Sequence, residues 1–523
     1  MNTFTGHLSM VAHFVSQRRS DQTDRMTLVH RVLFPEPITS LDVYLARGGG
    51  AGLEAARDRD PESIVAELEA SGLRGRGGAG FPTGRKWRTV REFASADLAT
   101  TVIVNGAEGE PGTYKDRTIL ARDPYVVIEG ALIAAWVVGA TEIIFGLKKA
   151  FGPVVGRVQE AIDEVVAAGW GDGMSLRIFL GPHEYLYGEE TALLETIEGR
   201  YPFPRVSPPY RRGEVEVVES TADAHTRSGL SAHVEMADEA GSTGAPPALV
   251  DNVETMANVP RIISRGAAWF RTEGTERSPG TIVCTITGQV QREGVGEVIM
   301  GTTLRAAIDA ISGGAREGHE IKAVLVGVSS AVLTADQLDT PLTYEDMAAA
   351  GSGLGSAGYM VFDDSADMTA VAAGVSRFLA VESCGQCTPC KIDGVSLSGL
   401  FEKLCQSEAD PADLERVRRL IDTVGDRARC SLATQHQVVV GSILDSFGRE
   451  VAAHVATSRG GMGVAKAVEP WLIAELSAIE GDEAVWDARH RTKQPDWSYS
   501  AEWSGKVPAE MYGDHRHQLL LPE

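Results

Sequence analysis

Apolar side chains at Ile64, Val65, Leu68 and Leu73 fall on one helical face, with Asp60 as N-cap and Pro61 at the first helical position. This predicts a helix over 61–73 that runs directly into a glycine-rich loop. Thr101 to Val104 is β-branched and reads as a short strand delivering Asn105 to a second turn. Ile128 to Val138 reads as a buried helix, Ser175 to Leu180 as another strand, and Glu190 to Ile197 as a helix beyond Gly181. Strand, loop and helix alternate over roughly residues 70–265, which predicts an α/β layer domain with ligand loops at strand ends.

Between Tyr210 and Val250 the chain is polar and without period, and is expected to be a loop insertion. Short strands at Thr281–Ile286 and Lys322–Val326 around an amphipathic helix at Leu304–Ile311 predict a small α+β module. After Ser365 the pattern is helical again. The stretch beyond Val451 has few regular periods but holds four of the eight tryptophans, Trp471, Trp486, Trp497 and Trp503.

Length changes the picture first: 523 residues are too many for one core and predict three or four domains. A net charge of −23 would repel a phosphate backbone, so nucleic acid is excluded as a partner. Arg18, Arg19, Asp21 and Asp24 lie where a secretory signal would need an apolar run. The longest apolar stretch, Ala131 to Gly146, is too short to cross a bilayer and contains Glu142. A cytoplasmic protein without direct membrane insertion is expected.

Six cysteines are too few for a disulfide framework, and four of them lie between residues 384 and 430. Cys384-Gly-Gln-Cys387-Thr-Pro-Cys390 lets a tight loop turn three thiolates toward one point. Only soft sulfur is supplied, which suits iron-sulfur or zinc; two CxxC steps sharing a cysteine favour a cubane cluster. Cys430, flanked by Arg427, Arg429 and Ser431, is the expected fourth ligand, while Cys284 and Cys405 read as small buried hydrophobes.

Gly72 to Trp87 carries six glycines in sixteen residues with Arg74, Arg76, Arg85 and Lys86, a composition suited to cradling a phosphate or dinucleotide. It does not follow a strand as an ordinary G-x-G-x-x-G fingerprint would. Asn105, Glu108 and Glu110 sit on a turn at a strand end, where amide and carboxylate groups could meet a flavin edge or a nicotinamide. Gly188 to Thr191 opens a helix and offers an anion-friendly N-terminus, or simply places acids in a first turn.

Taken together, GLRGRGGAGFPTGRKW, GEPGTYKDR, YGEETALLETIEGR, VDNVETMANVP, GTTL and ESCGQCTPC resemble, in order over residues 60 to about 450, the NADH-dehydrogenase 51-kDa family of flavin subunits. That family provides the flavin subunit of complex I and the diaphorase subunits of NAD-linked hydrogenases and formate dehydrogenases. The resemblance implies a Rossmann-like α/β FMN/NADH domain at 60–270, after an N-terminal extension at 1–59. It further implies a ubiquitin-like β-grasp (SLBB) domain at 275–350 and a helical 4Fe-4S domain at 362–450; the stretch 451–523 departs from the family and, too polar to make its own core, is expected to be a partner-binding tail. FMN would be held by Gly75, Arg76, Gly77, Gly78, Gly80, Lys86, Asn105, Glu108, Gly188, Glu189, Tyr210 and Asn252. NADH would stack beside Phe81, with Glu110 and Glu190 as the catalytic acids at the nicotinamide and ribose side. The cluster would sit on Cys384, Cys387, Cys390 and Cys430.

The chain departs from the family pattern at Ala107, where an aspartate is usual, at Arg88-Thr89, at Ser207 and at Asp251. These changes gather at the nucleotide side and predict altered NADH affinity. No thioredoxin-like segment precedes residue 60, so a separate thioredoxin-like 2Fe-2S subunit is the expected partner, beside a larger dehydrogenase or respiratory-complex subunit. The implied function is electron transfer between NAD(H), FMN and the 4Fe-4S cluster, in a soluble dehydrogenase such as one of formate. A complex I subunit and a non-catalytic electron conduit are the alternatives.

Overall fold

The computed structural model describes residues 28–95, 98–171, 173–205, 217–219, 231–233, 247–455 and 465–495. Tyr210, Ser207, Trp497 and Trp503, all singled out above, lie outside the described residues.

The first domain is built on four parallel strands, β1 (Thr100–Gly106), β2 (Ala140–Lys148), β3 (Ser175–Gly181) and β4 (Ala248–Asn252), in the order β3-β2-β1-β4. Val102, Ile103 and Val104 are fully buried, as expected of a parallel strand covered on both faces. The apolar run Ala131–Gly146 divides in two. Its first part ends helix α6 (Pro124–Val138), Gly139 turns the chain at φ +67°, and the rest is β2, a strand that periodicity alone merges into the run. Every residue of α6 except Trp136 is buried, which explains why this helix is apolar all round.

Helices α1 (Leu41–Ala46), α2 (Ala51–Arg57), α3 (Pro61–Ser71) and α4 (Thr83–Glu92) precede β1. Asp60 caps α3 by accepting from the Ser63 amide, and Gly72 closes it at φ +72°. The expected division at residue 60 is not where packing divides. Leu41, Tyr44, Leu53 and Ala56 share one core with Ile64 and α6. Buried Glu129 of α6 explains why, accepting from Tyr44 Oη (2.6 Å) and from the amides of Gly50 and Leu53 (2.7 and 2.9 Å). Between β1 and β4 the chain adds α5 (Lys115–Arg122), α7 (Gly152–Ala167) and α8 (Glu190–Ile197); α9 (Val253–Arg265) follows β4.

A second, mixed sheet holds β5 (Thr281–Gly288), β6 (Gly294–Ile299), β7 (Ile321–Val326), β8 (Leu333–Thr334) and β9 (Gly358–Asp363), ordered β8-β7-β9-β5-β6. Of its neighbouring pairs only β9 and β5 run parallel, and α10 (Leu304–Ser312) packs on this sheet. Four helices follow: α11 (Met368–Glu382), α12 (Thr388–Cys405), α13 (Pro411–Thr423) and α14 (Ser431–Ala453). Cys284 on β5 and Cys405 at the end of α12 are both fully buried among apolar side chains.

Residues 465–495 are the described part of the stretch beyond residue 455 that is expected to bind a partner. They lie across the chain's own body: Ile473, Ala474 and Leu476 are buried, and Trp471 meets Phe362 edge-on at 5.1 Å. The segment is too polar to form a core of its own. Its polar groups are instead paired to the body, as Glu475 is to Lys148 at 2.7 Å.

Candidate functional site

In the order β3-β2-β1-β4, successive strands are laid to one side of β1 and the last to the other. The crevice beyond the carboxyl ends of β1 and β4 is therefore the switch point at which doubly wound sheets bind ligands. Asn105 and Asn252 end the two strands in register. The Asn105 side chain brackets the turn that follows, accepting from the Ala107 amide (3.2 Å) and donating to Gly188 O (2.9 Å).

The glycine loop is pressed onto this crevice from above α4. A Cβ at Gly77 would stand 3.2 Å from Asn252 Cβ, and one at Gly80, where φ is +62°, would enter the Tyr344 ring at 2.3 Å. Arg76 N donates to Thr255 Oγ1 (2.9 Å), Tyr344 Oη donates to Gly75 O (2.9 Å), and Arg74 lies 3.9 Å over the Tyr344 ring. The loop is thus shaped by β4, α9 and the second domain together, and Gly77 and Gly80 let it close against Asn252 and Tyr344. Phe81 stands at the rim, 46% exposed.

Charges in the crevice are paired. Lys86 Nζ donates to Val250 O (2.6 Å), bridges Glu190 (2.9 Å) and lies 3.8 Å from Asp251. Burial raises the Asp251 carboxyl to about 6, against the pull of Lys86 and the Trp87 indole N–H, which donates to it at 2.7 Å. Asp251 is therefore taken up within the protein, and is not the bare anion beside a phosphate that its place in the motif suggests.

Three expected flavin contacts are also engaged elsewhere. Glu108 accepts from Asp116 N (3.0 Å) and pairs with Arg117 (2.8 Å), fixing the start of α5. The Asn252 amide caps α9 through Glu254 N and donates to Asp116 (2.7 Å). Glu189 caps α8, accepting from Ala192 N (2.9 Å), so that helix N-terminus already holds a carboxylate. Side-chain capping competes with ligand binding for the same donors, which spacing alone does not reveal.

Glu110 reaches the second domain, where Val328 N donates to Oε1 (2.7 Å), while Tyr185 Oη donates to Oε2 (2.5 Å). Burial raises the Glu110 carboxyl, opposed by these donors. Sequence reasoning misses both Tyr185 and Tyr344. Tyr185 carries a signal, standing two residues before the YGEETALLETIEGR motif; Tyr344 carries none, because its contact to the glycine loop is long-range.

Tyr185 also faces the other candidate site. Its hydroxyl lies 3.4 Å from Gln435 Oε1 on α14, and its neighbour Leu186 lines a cavity that holds all four predicted cysteines. Cys384, Cys387 and Cys390 come from the α11–α12 connection, where Gly385 adopts φ +74°, and Cys430 is the residue before α14. Pro204 of the first domain completes one wall and accepts from Gln386 Nε2 (3.2 Å).

Burial raises the Cys384 thiol, pushes Cys390 up to about 12, and drives Cys430 higher still. Buried thiols with raised pKa values need a cation before they act as thiolates, and an all-sulfur set fits an iron-sulfur cluster. Arg429 N donates to Cys387 Sγ at 3.4 Å and Gln386 Nε2 to Cys384 Sγ at 3.5 Å, and Ser383 Oγ lies within hydrogen-bond reach of Cys390 Sγ at 3.2 Å. Such donors tune a cluster's potential.

Residues 68–261 match the Nuo51 FMN-binding domain, and residues 370–454 match the NADH-ubiquinone oxidoreductase-F iron-sulfur binding region. An F subunit of the NADH-quinone oxidoreductase of Rhizobium meliloti (strain 1021) is 35% identical over 430 residues, covering 80% of this chain and 95% of that protein. The chain belongs to the family of NADH-quinone oxidoreductase F subunits. The NADP-reducing hydrogenase subunit HndC of Solidesulfovibrio fructosivorans is equally 35% identical, over 80% of this chain and 81% of its own. Among solved structures, the NAD+-reducing [NiFe]-hydrogenase in the H2-reduced state superposes with a TM-score of 0.67 at 30% identity, covering 86% of this chain and 72% of that one.

As a member of that family, the chain is an NADH dehydrogenase-type oxidoreductase subunit with FMN and a 4Fe-4S cluster as cofactors. Among the described residues, the four cysteines lining one cavity have the all-sulfur chemistry that fits an iron-sulfur cluster. No helix among the described residues is long and apolar enough to cross a membrane.

Proposed function

We propose that this chain is the nicotinamide-linked electron-transfer subunit of a larger dehydrogenase, with NAD(H) and FMN at the β1/β4 crevice and the cluster on Cys384, Cys387, Cys390 and Cys430. The observation that carries this reading is Tyr185, bonded to Glu110 in the crevice while its neighbour Leu186 lines the cysteine cavity. One short segment thus joins both sites. Bound FMN supplies the conversion between two-electron nicotinamide chemistry and one-electron cluster chemistry.

The chain's own residues give that chemistry its setting. The Gly75–Gly80 loop, with Arg76, Gly77 and Gly78, leaves space for the ring and phosphate, and Lys86, Asn105 and Gly188 border it. Glu110 and Glu190 face the nicotinamide side as acceptors, and Phe81 offers an exposed ring for stacking. The second sheet with α10 is assigned as the SLBB-type β-grasp domain. A separate thioredoxin-like 2Fe-2S subunit is the assigned neighbour, in a soluble cytoplasmic complex whose other reactant is a small reductant such as formate. The polar insertion and the altered nucleotide loops support that choice over a membrane-bound quinone reductase.

The test is an anaerobic addition of NADH and, separately, NADPH to the FMN-loaded chain. Rapid bleaching of the oxidised-flavin band by NADH is expected, with Glu110→Gln slowing it by roughly 10–100-fold, the scale of one or two lost hydrogen-bond acceptors. No bleaching by either nucleotide would reduce the chain to a conduit. In the purified complex, formate-driven NAD+ reduction tests the donor, and its absence alongside quinone-linked NADH oxidation would reverse that assignment.

A further inference from the structure

Both matched family regions end by residue 454, yet residues 465–495 reach back to the junction between the crevice and the cysteine cavity. Lys493 Nζ lies 2.5 Å and His490 Nε2 3.2 Å from Glu382 Oε1. The other oxygen of Glu382 accepts from the backbone N–H of Tyr185 at 3.1 Å. Glu382 is the last residue of α11, and the next two residues are Ser383, bonded to Cys390, and Cys384 itself. The His490 ring also stacks on Phe378 at 5.0 Å, and Phe378 meets Tyr185 edge-on at 5.2 Å.

The segment is anchored independently at several points. Arg377 donates to the carbonyls of Arg491 (2.8 Å) and Lys493 (3.0 Å), Trp471 N donates to Ala370 O (2.9 Å), and His183 pairs with Asp487 (2.9 Å). Glu382 and Lys493 are both nearly fully buried, at 8% and 6% exposed. A buried carboxylate keeps its place only with a partner, and here the cationic partner, Lys493, is supplied by the strap.

We propose that residues 465–495 form an electrostatic strap in which Lys493 and His490 are positioning residues. They hold Glu382, and through it Tyr185 and the first cysteine of the loop, in one geometry, and Lys493 offsets a negative charge that would otherwise stand beside the cluster. The inference rests on the cluster assignment made above. A fixed charge near a cluster changes the cost of adding an electron, and its sign sets the direction of the change.

The test is a mediated redox titration of the cluster in the intact chain, followed by electron paramagnetic resonance at one fixed pH with a chemical reductant. Lys493→Met shifts the midpoint to lower potential, Lys493→Arg leaves it in place, and Glu382→Gln with Lys493 retained shifts it upward. The double variant Glu382→Gln/Lys493→Met returns it toward the starting value. Should Lys493→Met fail to fold, the upward shift in Glu382→Gln still decides the matter. Unchanged midpoints in both single variants, or shifts of the same sign, would overturn the proposal. Because no NADH is used, a strap that fails this test leaves the NADH-bleaching result standing, and the reverse also holds.

Discussion

The crevice at β1 and β4 and the cysteine cavity are built by opposite means. In the crevice, Lys86, Glu190, Asp251 and Trp87 satisfy one another, and the glycine loop is held by Thr255 and Tyr344. Its shape comes from protein contacts. The cavity instead gathers four cysteine thiols outside any disulfide, three of them raised by burial. Its sulfurs become ligands only when a metal group is bound. The difference teaches that one cofactor is received by a standing framework, whereas the other is part of the framework.

The sharpest way to break this contrast is to remove one ligand. Cys387→Ser is expected to abolish cluster iron and to cost the helical domain on the order of 5 kcal/mol, while flavin binding survives in the molecules that stay folded. Iron analysis with urea unfolding checks it; full stability without iron would mean that the cavity stands alone. Gly80→Ala addresses the other side. Its φ of +62° and the 2.3 Å approach to Tyr344 predict a loss of about 1–3 kcal/mol and weaker FMN retention, with cluster iron unchanged. Equilibrium dialysis of FMN against both proteins measures this.

The smallest effect is in pH, and the two regions respond with opposite sign. His436, bonded to Ser376 at 2.8 Å in the helical domain, is pushed by burial down to about 3 from 6.5. A depressed imidazole means that the unfolded state binds the extra proton, so this contribution to stability is present above 6.5 and is lost as pH falls toward 3. Asp251, raised to about 6 from 3.8, favours the protonated folded state, so its contribution is present below 3.8 and is lost as pH rises through 6. Each slope is at most about 1.4 kcal/mol per pH unit. His436→Gln should flatten acid destabilisation and Asp251→Asn should steepen it, in denaturation midpoints taken between pH 7 and pH 4.5.

Much of this is legible in the chain. Asp60 and Pro61 mark the start of α3 and Gly72 its end, because capping is a local event. Helix α8 spans the predicted residues Glu190–Ile197. The four cysteines can be grouped because sulfur ligands have few other uses at that spacing. What spacing hides is long-range partners: Glu129 drawing α1 and α2 into the first core, Asp251 turned to Trp87, Glu108 held by Arg117, and Tyr344 and Lys493 arriving from distant segments. A polar stretch such as 465–495 reads as unpartnered until the buried charges that receive it are known.

The central claim is that electrons pass between the crevice and the cysteine cavity by way of the flavin. Freeze-quench electron paramagnetic resonance after anaerobic mixing with NADH tests it most directly. The account predicts that the reduced-cluster signal rises after flavin bleaching in FMN-loaded protein and is absent in protein stripped of FMN. A cluster that NADH reduces equally well without flavin would contradict it.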